Sequence, residues 1–586
     1  MSQEKNNVDL ITDVAQERAI IPSGEEAIDI REEALGTNLP ANYYWSWQFL
    51  GTVVACCLSY NSSNLGYVLS SNSMARINAD IGPSDNLVWI GLVMTLTMGV
   101  TFLLVGRLSD VFGRRMFFVV GNSFTVVGCI LGAVAVNIEM IVGGNVFNGI
   151  GAAVQLSFGM IIEELVPVKH RPIWVSCIFM SGLPFLAFGP VIAQGLGDNT
   201  AASWRWCFYL GIIVAAVTSI LLYLCYHPPD FHLLHSKRSR MEQVKRMDFI
   251  GMFFFTAGLV LFLIGLGWGG NKYPWNSSHV IATVVVGVVC LIIFVAYDSK
   301  FHKGDPFVPM HLFSYPGLTP MIACASVGSC VYYSMVILWP QQIAFLFPGS
   351  PLRNAFLACV IGSAVEVGQF AAGFLLKYLQ WHRYVLMFVC CLLTASAGGM
   401  AAVGPGDKDL GVALMFLAVF SVGVIECVAV VNCPITCPPE HLGSALGALG
   451  SIRSTCAAIA TAIYSAILAN KLGSITPARV SEAALDAGLP ESSLPELLEQ
   501  YSSDLSDIPG ITAQITSAVE DAIVQAASAS FKYVWYAVIA FGAVAIFSSW
   551  FTIDYTKYYT DEVTRKLQGV GGKKNDPVKG IQDDAV

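Results

Sequence analysis

The sequence predicts an all-α polytopic membrane protein, and three observations carry that prediction. Hydrophobic residues make up 55% of the 586, while charged residues reach only 12%, about half the ~25% of a soluble chain. Mean hydropathy is +0.62. Apolar runs long enough to cross a ~30 Å hydrocarbon core recur along the chain. They lie at 47–69, 87–105, 117–136, 140–162, 174–195, 207–226, 249–268, 279–297, 318–339, 355–376, 384–403, 410–432, 443–469 and 532–553, which makes fourteen spans. Gly328 and Ser329 interrupt span 9. Span 13 is rich in Gly, Ala and Ser, residues that let membrane helices approach closely.

Loop charge orients the spans. Alternate loops carry Arg107, Arg114, Arg115, Lys169, Arg171, the run from Lys237 to Arg246, Lys300, Lys303, Lys377 and Arg383. The intervening short loops are poor in basic residues, with Arg76, Arg205 and Lys272 among the few. The positive-inside rule then puts both termini and the loop after residue 105 in the cytoplasm. The first 43 residues are acidic and polar, with no basic stretch leading into a short apolar one, so no cleaved signal peptide is expected. The net charge of −9 comes from acids in the first 35 residues and near 474–530, so no nucleic-acid partner is expected. Most of the sixteen cysteines, Cys56, Cys57, Cys129, Cys290, Cys390 and Cys391 among them, sit in apolar runs and act as small hydrophobes. In "NKYPWNSSHV", Asn276 heads a glycosylation sequon in an outer loop, whereas Asn61-Ser62-Ser63 is inside a span.

The stretch "GRLSDVFGRR" between spans 2 and 3 is more than a basic anchor, because it also fixes Gly106, Asp110 and Gly113. It resembles the loop signature of the major facilitator superfamily at every signature position. "SWRWCFYL", "INADIGPSDNLVWI", "GNSFTVVGCILGA", "WGGNKYPWNSSHVI" and "CPPEHLGSALGALGSIRS" resemble the fourteen-helix drug:proton antiporters of that superfamily, and within them the fungal trichothecene efflux pump group. The resemblance implies the major facilitator fold with fourteen transmembrane helices: two six-helix bundles plus an inserted helix pair. The expected organisation is an acidic cytoplasmic tail at 1–43, a first bundle at 44–226, a basic cytoplasmic loop at 227–248 and the inserted pair at 249–298. A second bundle at 299–553 follows, including an extracytoplasmic loop at 470–531 read as a lid or cap of short helices, and then a cytoplasmic tail at 554–586.

The resemblance also assigns roles. Gly106 and Gly113 would allow a tight turn, and Asp110 would pair with Arg107, Arg114 or Arg115 and with a facing helix N-terminus, latching the two halves. In the second half, "GFLLKYLQWHR" keeps Gly373 and Leu375 but has Lys377 in place of the aspartate, so the latch should be asymmetric. Other family features are missing. Asn145 replaces the usual arginine of span 4, though Gly149 is retained, and Asn61 and Asn64 stand where an aspartate is common in span 1. Gly189 and Pro190 should bend span 5, but Ala193 and Gln194 replace a glycine pair.

Ionisable residues inside spans are costly, roughly 2.5–3.5 kcal/mol or more at the bilayer centre, and so mark function by default. Glu366, Glu426 and Arg453 are the candidates for proton or substrate binding; their bland alternatives are an interhelical hydrogen bond and an arginine snorkelling to headgroups. Glu163 and Glu164, ending span 4, are expected to be exposed. Tyr60, Asn61, Asn64, Asn148, Gln155, Gln194, Tyr332, Tyr333 and Gln369 are the candidate lining of a midplane cavity. So few polar groups among apolar and aromatic ones suit a bulky amphipathic ligand better than a sugar or an ion. Cys433, Cys437 and His441 have helical spacing, but the prolines between them and a missing fourth ligand argue against a metal. No Walker motif and no nucleophile–base set is present, so neither an ATP-driven pump nor an enzyme is expected.

The reading is a secondary active transporter that exports amphipathic small molecules, such as sesquiterpenoid toxins or drugs, by proton antiport. Its expected partners are the lipid bilayer, the small-molecule substrate and protons, with the proton gradient in place of any cofactor and a monomer as default. The plasma membrane is the expected location, with a vacuolar or vesicular membrane as the alternative. Two other readings stand beside it: proton-coupled uptake of ferric siderophores, and a non-transporting membrane sensor.

Overall fold

A computed structural model of the chain describes residues 42–84, 86–87, 89–228, 248–269, 273–300, 310–379, 381–438, 441–500, 511–559 and 567. Within them the chain is helical. In the first half α1 is Trp47–Asn72, α2 Met74–Ile81, α3 Trp89–Phe112, α4 Arg114–Ala133, α5 Ile138–Leu156 and α6 Phe158–Leu165. Next come α7 Arg171–Met180, α8 Leu183–Leu186, α9 Gly189–Asn199 and α10 Arg205–Cys225. Then follow α11 Phe249–Trp268 and α12 Ser278–Lys300, and in the second half α13 Leu318–Leu346, α14 Pro351–Tyr378, α15 His382–Met400 and α16 Lys408–Asn432. The chain closes with α17 Leu442–Asp486, α18 Leu494–Gln500 and α19 Ala513–Trp550. Among the described residues, twelve helices, with α5 and α6 counted as one, are long and apolar enough to cross a membrane.

The two expected spans outside that twelve differ for physical reasons. Span 1 forms one helix, α1, but it buries Ser59, Asn61, Ser62 and Ser63, which lower its hydropathy. Span 5 is three pieces, α7, α8 and α9, broken at Ser181-Gly182 and again at Phe188, just before Gly189 and Pro190. A proline in the first turn of α9 has no N–H to donate to the preceding turn, so the break falls ahead of it. The largest departure concerns 470–531. Span 13 does not stop at 469: α17 runs on to Asp486, and α19 begins at Ala513, well before 532. The two extensions share a satellite core of Val480, Ala484, Leu489, Leu497, Ile515, Val519 and Ala522, so this region is an arm of continued helices with α18 folded onto it. Alanine-rich, strongly helix-forming sequence around 480–487 and 513–530 carries the helices on, in α17 straight through Gly473 and Pro477 just past the expected membrane boundary.

The helix ends bearing Arg114, Arg171 and Arg383 form the basic end; Asp80, Asp198, Arg205 and the arm lie at the far end. α11 packs through Leu259 and Leu263 on Leu92, Leu96 and Val100 of α3 and on Ala458 of α17. α11 therefore straddles the seam between the halves, and α12 packs on α11. That seam is lined by small residues. A Cβ on Gly106 would run into the Gly443 carbonyl, and one on Gly373 into the Ser176 hydroxyl. A Cβ on Gly362 would strike the Leu186 carbonyl, and Ser451 Oγ donates to the Gly99 carbonyl at 2.6 Å. The halves touch on both sides of the middle, so the arrangement is occluded.

Candidate transport site

At the centre, one polar chain crosses from the first half to the second. Tyr60, midway along α1, donates its hydroxyl to Glu366 Oε1 at 2.9 Å and stands 3.3 Å from Gln369 Oε1. Gln369, one turn from Glu366 on α14, donates Nε2 to Glu426 Oε2 at 3.1 Å. Glu426 on α16 forms an ion pair with Arg453 of α17. The Arg453 guanidinium lies 5.8 Å from the Phe102 ring of α3. Ser176 of α7 donates to the Gln369 carbonyl at 2.9 Å. Glu366 is 0% exposed, and its Oε2 has no hydrogen-bond partner among the described residues. Glu426 keeps 19% of its side chain exposed. The three ionisable residues singled out in the sequence thus belong to a single network, and Tyr60 and Gln369 join them.

Aromatic rings wall this network. Tyr60, Phe158 and Phe179 pack edge to face with centroids 5.2 to 5.9 Å apart. Tyr332 and Tyr333 are buried, with ring centroids 5.1 Å apart, and Tyr333 lies within electrostatic range of Arg453 and Glu426. Phe158, Phe179, Phe102 and Ser176 were not legible as site residues, because nothing in the sequence separates them from ordinary packing residues.

Four expected lining residues are elsewhere. Gln194 binds Asp198 at 2.8 Å at the far end, where Asp198 also pairs with Arg76 at 2.6 Å. Asn148 donates to Asn145 within α5 at 2.9 Å and accepts from Cys129 of α4 at 3.5 Å, and Asn145 donates to the Ile90 carbonyl at 2.7 Å, so both tie α5 to its own half. Gln155 donates to Ser62 at 3.0 Å and to Asn122, again inside the first half. Asn64 donates to its own helix, at the Tyr60 carbonyl, 2.9 Å away. Buried amides find partners before they face a cavity. Asn61 does reach the broken span, donating to Ser181 O at 3.1 Å beside the first break.

The loop signature is also rearranged. Gly113 supplies the turn, with φ of 93°, but Gly106 is a turn and a half inside α3, where it permits contact with Gly443. Arg114 pairs with Glu164 at 2.6 Å, and Arg115 donates to the Tyr223 carbonyl while lying 4.6 Å from the Tyr223 ring. Both contacts stay within the first half. Arg107 is half-buried, and the Asp110 side chain is outside the described residues. Glu163 and Glu164, expected to be exposed, are 0% and 2% exposed, because α6 turns inward under α16 and α17. The second half repeats the pattern without the aspartate. Gly373 makes the matching close approach to α7, and Arg383 donates to the Trp550 carbonyl at 2.7 Å beneath the Trp550 ring. At the far end, Asp80 accepts from Trp204 Nε1 at 2.9 Å and from Arg205 at 3.1 Å, and these hydrogen bonds hold its carboxyl below the usual range. Asn276 is exposed in the turn before α12.

Two interlocked helical halves around a midplane polar network define a membrane transporter of the major facilitator fold. Solved structures agree on that fold: the proton:xylose symporter XylE superposes with TM-score 0.51 at 13% identity, covering 90% of this chain and 98% of its own. The human organic anion transporter MFSD10 gives 0.50 at 12%, covering 85% and 100%. The profile described as fungal trichothecene efflux pump matches residues 12–585, and the chain belongs to that family. The trichothecene efflux pump TRI12 of Trichoderma arundinaceum is 30% identical over 564 residues, 93% of each chain. That of Fusarium sporotrichioides is 28% identical over 578 residues, 95% of this chain and 96% of its own. The protein is a multi-pass efflux transporter and not an enzyme.

Proposed function

We propose that this transporter exports amphipathic small molecules of the sesquiterpenoid toxin class by proton antiport, with Glu366 as the proton carrier. The observation that carries the reading is the contrast between two buried carboxyls. Glu426 has Arg453 as counter-ion; Glu366 has one hydrogen bond, from Tyr60, and an unpartnered Oε2. A carboxyl in that setting is neutralised by a proton rather than by an ion pair. Because the Tyr60–Glu366 bond joins the halves, loading and unloading that proton bears on whether they stay together. Glu366 takes a proton when the far end opens and releases it when the basic end opens, while substrate moves the other way. The substrate class is supported by the names of the relatives and by the aromatic walls, which suit a rigid, mostly apolar ligand.

In this reading α1 and the broken α7–α9 also cross the membrane, which brings the twelve apolar helices to fourteen. The six-helix bundles at 44–226 and 299–553 then rock about the network, the basic end faces the cytoplasm, and exposed Asn276 faces outward, at the plasma membrane. The test is export of a labelled trichothecene from proteoliposomes under an imposed pH gradient. Glu366→Gln keeps an acceptor for Tyr60, so thermal stability should stay within about 1 kcal/mol of wild type while gradient-driven flux is lost. Flux that survives in Glu366→Gln, or wild-type flux indifferent to the gradient, overturns the proposal.

A further inference from the structure

A second buried carboxyl has no role in that network. Glu163, on α6 at the basic end, is 0% exposed, and neither of its oxygens has a hydrogen-bond partner among the described residues. Two cations lie within electrostatic range, Arg114 and Arg171, but neither hydrogen-bonds to it. Arg114 is paired with Glu164 at 2.6 Å, and Arg171 on α7 donates Nε to the Val166 carbonyl at 3.3 Å. The other titratable groups in electrostatic range are Glu164 beside it, Cys433 and Cys437 on the link between α16 and α17, and Tyr559 of the C-terminal segment. The His382 ring meets Tyr559 edge-on, centroids 4.9 Å apart. Gly159, one turn earlier on α6, faces Val430 and Leu446 of the second half. Glu163 is therefore sealed from water by the half that must move away when the basic end opens.

We propose that Glu163 is a proton-operated lock on the basic end, neutral while the halves are closed there and charged once they part and water reaches it. A charged carboxylate sealed from water with no hydrogen-bond donor opposes closure; a protonated one does not. The proton enters from solution at the basic end on closing and returns to the same side on opening. Nothing is carried across, so the lock sets how often that end opens without altering the exchange stoichiometry. Acid on that side favours the closed state, and alkali the open one. The proposal rests on the transporter reading but is independent of Glu366 and of antiport.

The reporter is Cys427 of α16, which meets Ser176 of α7 across the seam, Oγ to Sγ 3.4 Å, and is buried while the basic end is closed. With every other cysteine replaced, maleimide labelling of Cys427 in the purified full chain is measured at pH 6 and pH 8, with Glu163 and with Glu163→Gln. Dividing the two rates cancels the pH dependence of the thiol itself. The ratio should rise at least about fivefold from pH 6 to pH 8, and Glu163→Asp should retain that rise. If Glu163→Gln does not purify as a single species, Glu163→Met serves as the non-titrating reference. A ratio that does not change with pH overturns the lock. Labelling uses neither substrate nor gradient, so loss of antiport in Glu366→Gln leaves this result standing.

Discussion

Two carboxylates within one residue network face opposite consequences of neutralisation. Glu426→Gln strips Arg453 of its counter-ion, and an uncompensated buried guanidinium costs about 3–5 kcal/mol, with the lower end expected because Glu426 is 19% exposed. Thermal unfolding in detergent should show that loss for Glu426→Gln and not for Glu366→Gln; equal stabilities would refute the pairing as a structural bond. Glu366, Glu426 and Arg453 were legible because a charge inside an apolar run has few innocent explanations. Gln194, Asn148, Gln155 and Asn64 find their partners away from the network. An amide is satisfied by any nearby carbonyl or hydroxyl, and from one sequence the face it turns toward is open. Glu163 and Glu164 failed for another reason: their burial depends on a second half more than 260 residues away, at Val430 and Leu446.

Among the helices, small residues decide which surfaces can meet. Gly106 lies on α3 where a Cβ would strike the Gly443 backbone carbonyl, which cannot swing aside as a side chain could. Gly143 on α5 has nothing within 4 Å of that position and serves as the control. Gly106→Ala should cost about 1–3 kcal/mol through forced separation of α3 and α17, whereas Gly143→Ala should be close to neutral. Export rates should follow the same order, and a Gly106→Ala protein as stable and active as Gly143→Ala would remove the seam from the mechanism. The signature glycines were readable as glycines that matter, but their division of labour was not. Gly113 turns the chain at φ of 93°, while Gly106 serves a contact with a helix 337 positions downstream. Helix ends proved least legible where propensity and hydropathy disagree. α17 and α19 continue past the apolar boundary, α17 through Pro477, because the alanine-rich sequence beyond favours helix whether or not the membrane has ended.

Across the whole molecule, the two halves repeat a plan that the sequence preserves only in part. Gly106 with Gly443 and Gly373 with Ser176 are matching close approaches, and Arg115 at Tyr223 and Arg383 at Trp550 are matching caps on the last helix of each half. The aspartate lost at Lys377 breaks the repeat as a sequence motif and leaves it intact as packing. The proposed rocking then falls along α3–α17 and α7–α14–α16, with the Glu366 network between them. The Ser176–Cys427 contact spans the second of these at 3.4 Å between Oγ and Sγ, close enough that a thiol at 176 needs only a small shift to bond. Ser176→Cys, oxidised, should form a disulfide with Cys427 that holds the basic end shut. Export should then fall to background under oxidation and return on reduction, while Ser176→Cys on a Cys427→Ala background exports whatever the redox state. A disulfide that forms, as shown by mass spectrometry, yet leaves export unimpaired would show that α7 and α16 stay together through the cycle, and the rocking surface would have to be sought elsewhere.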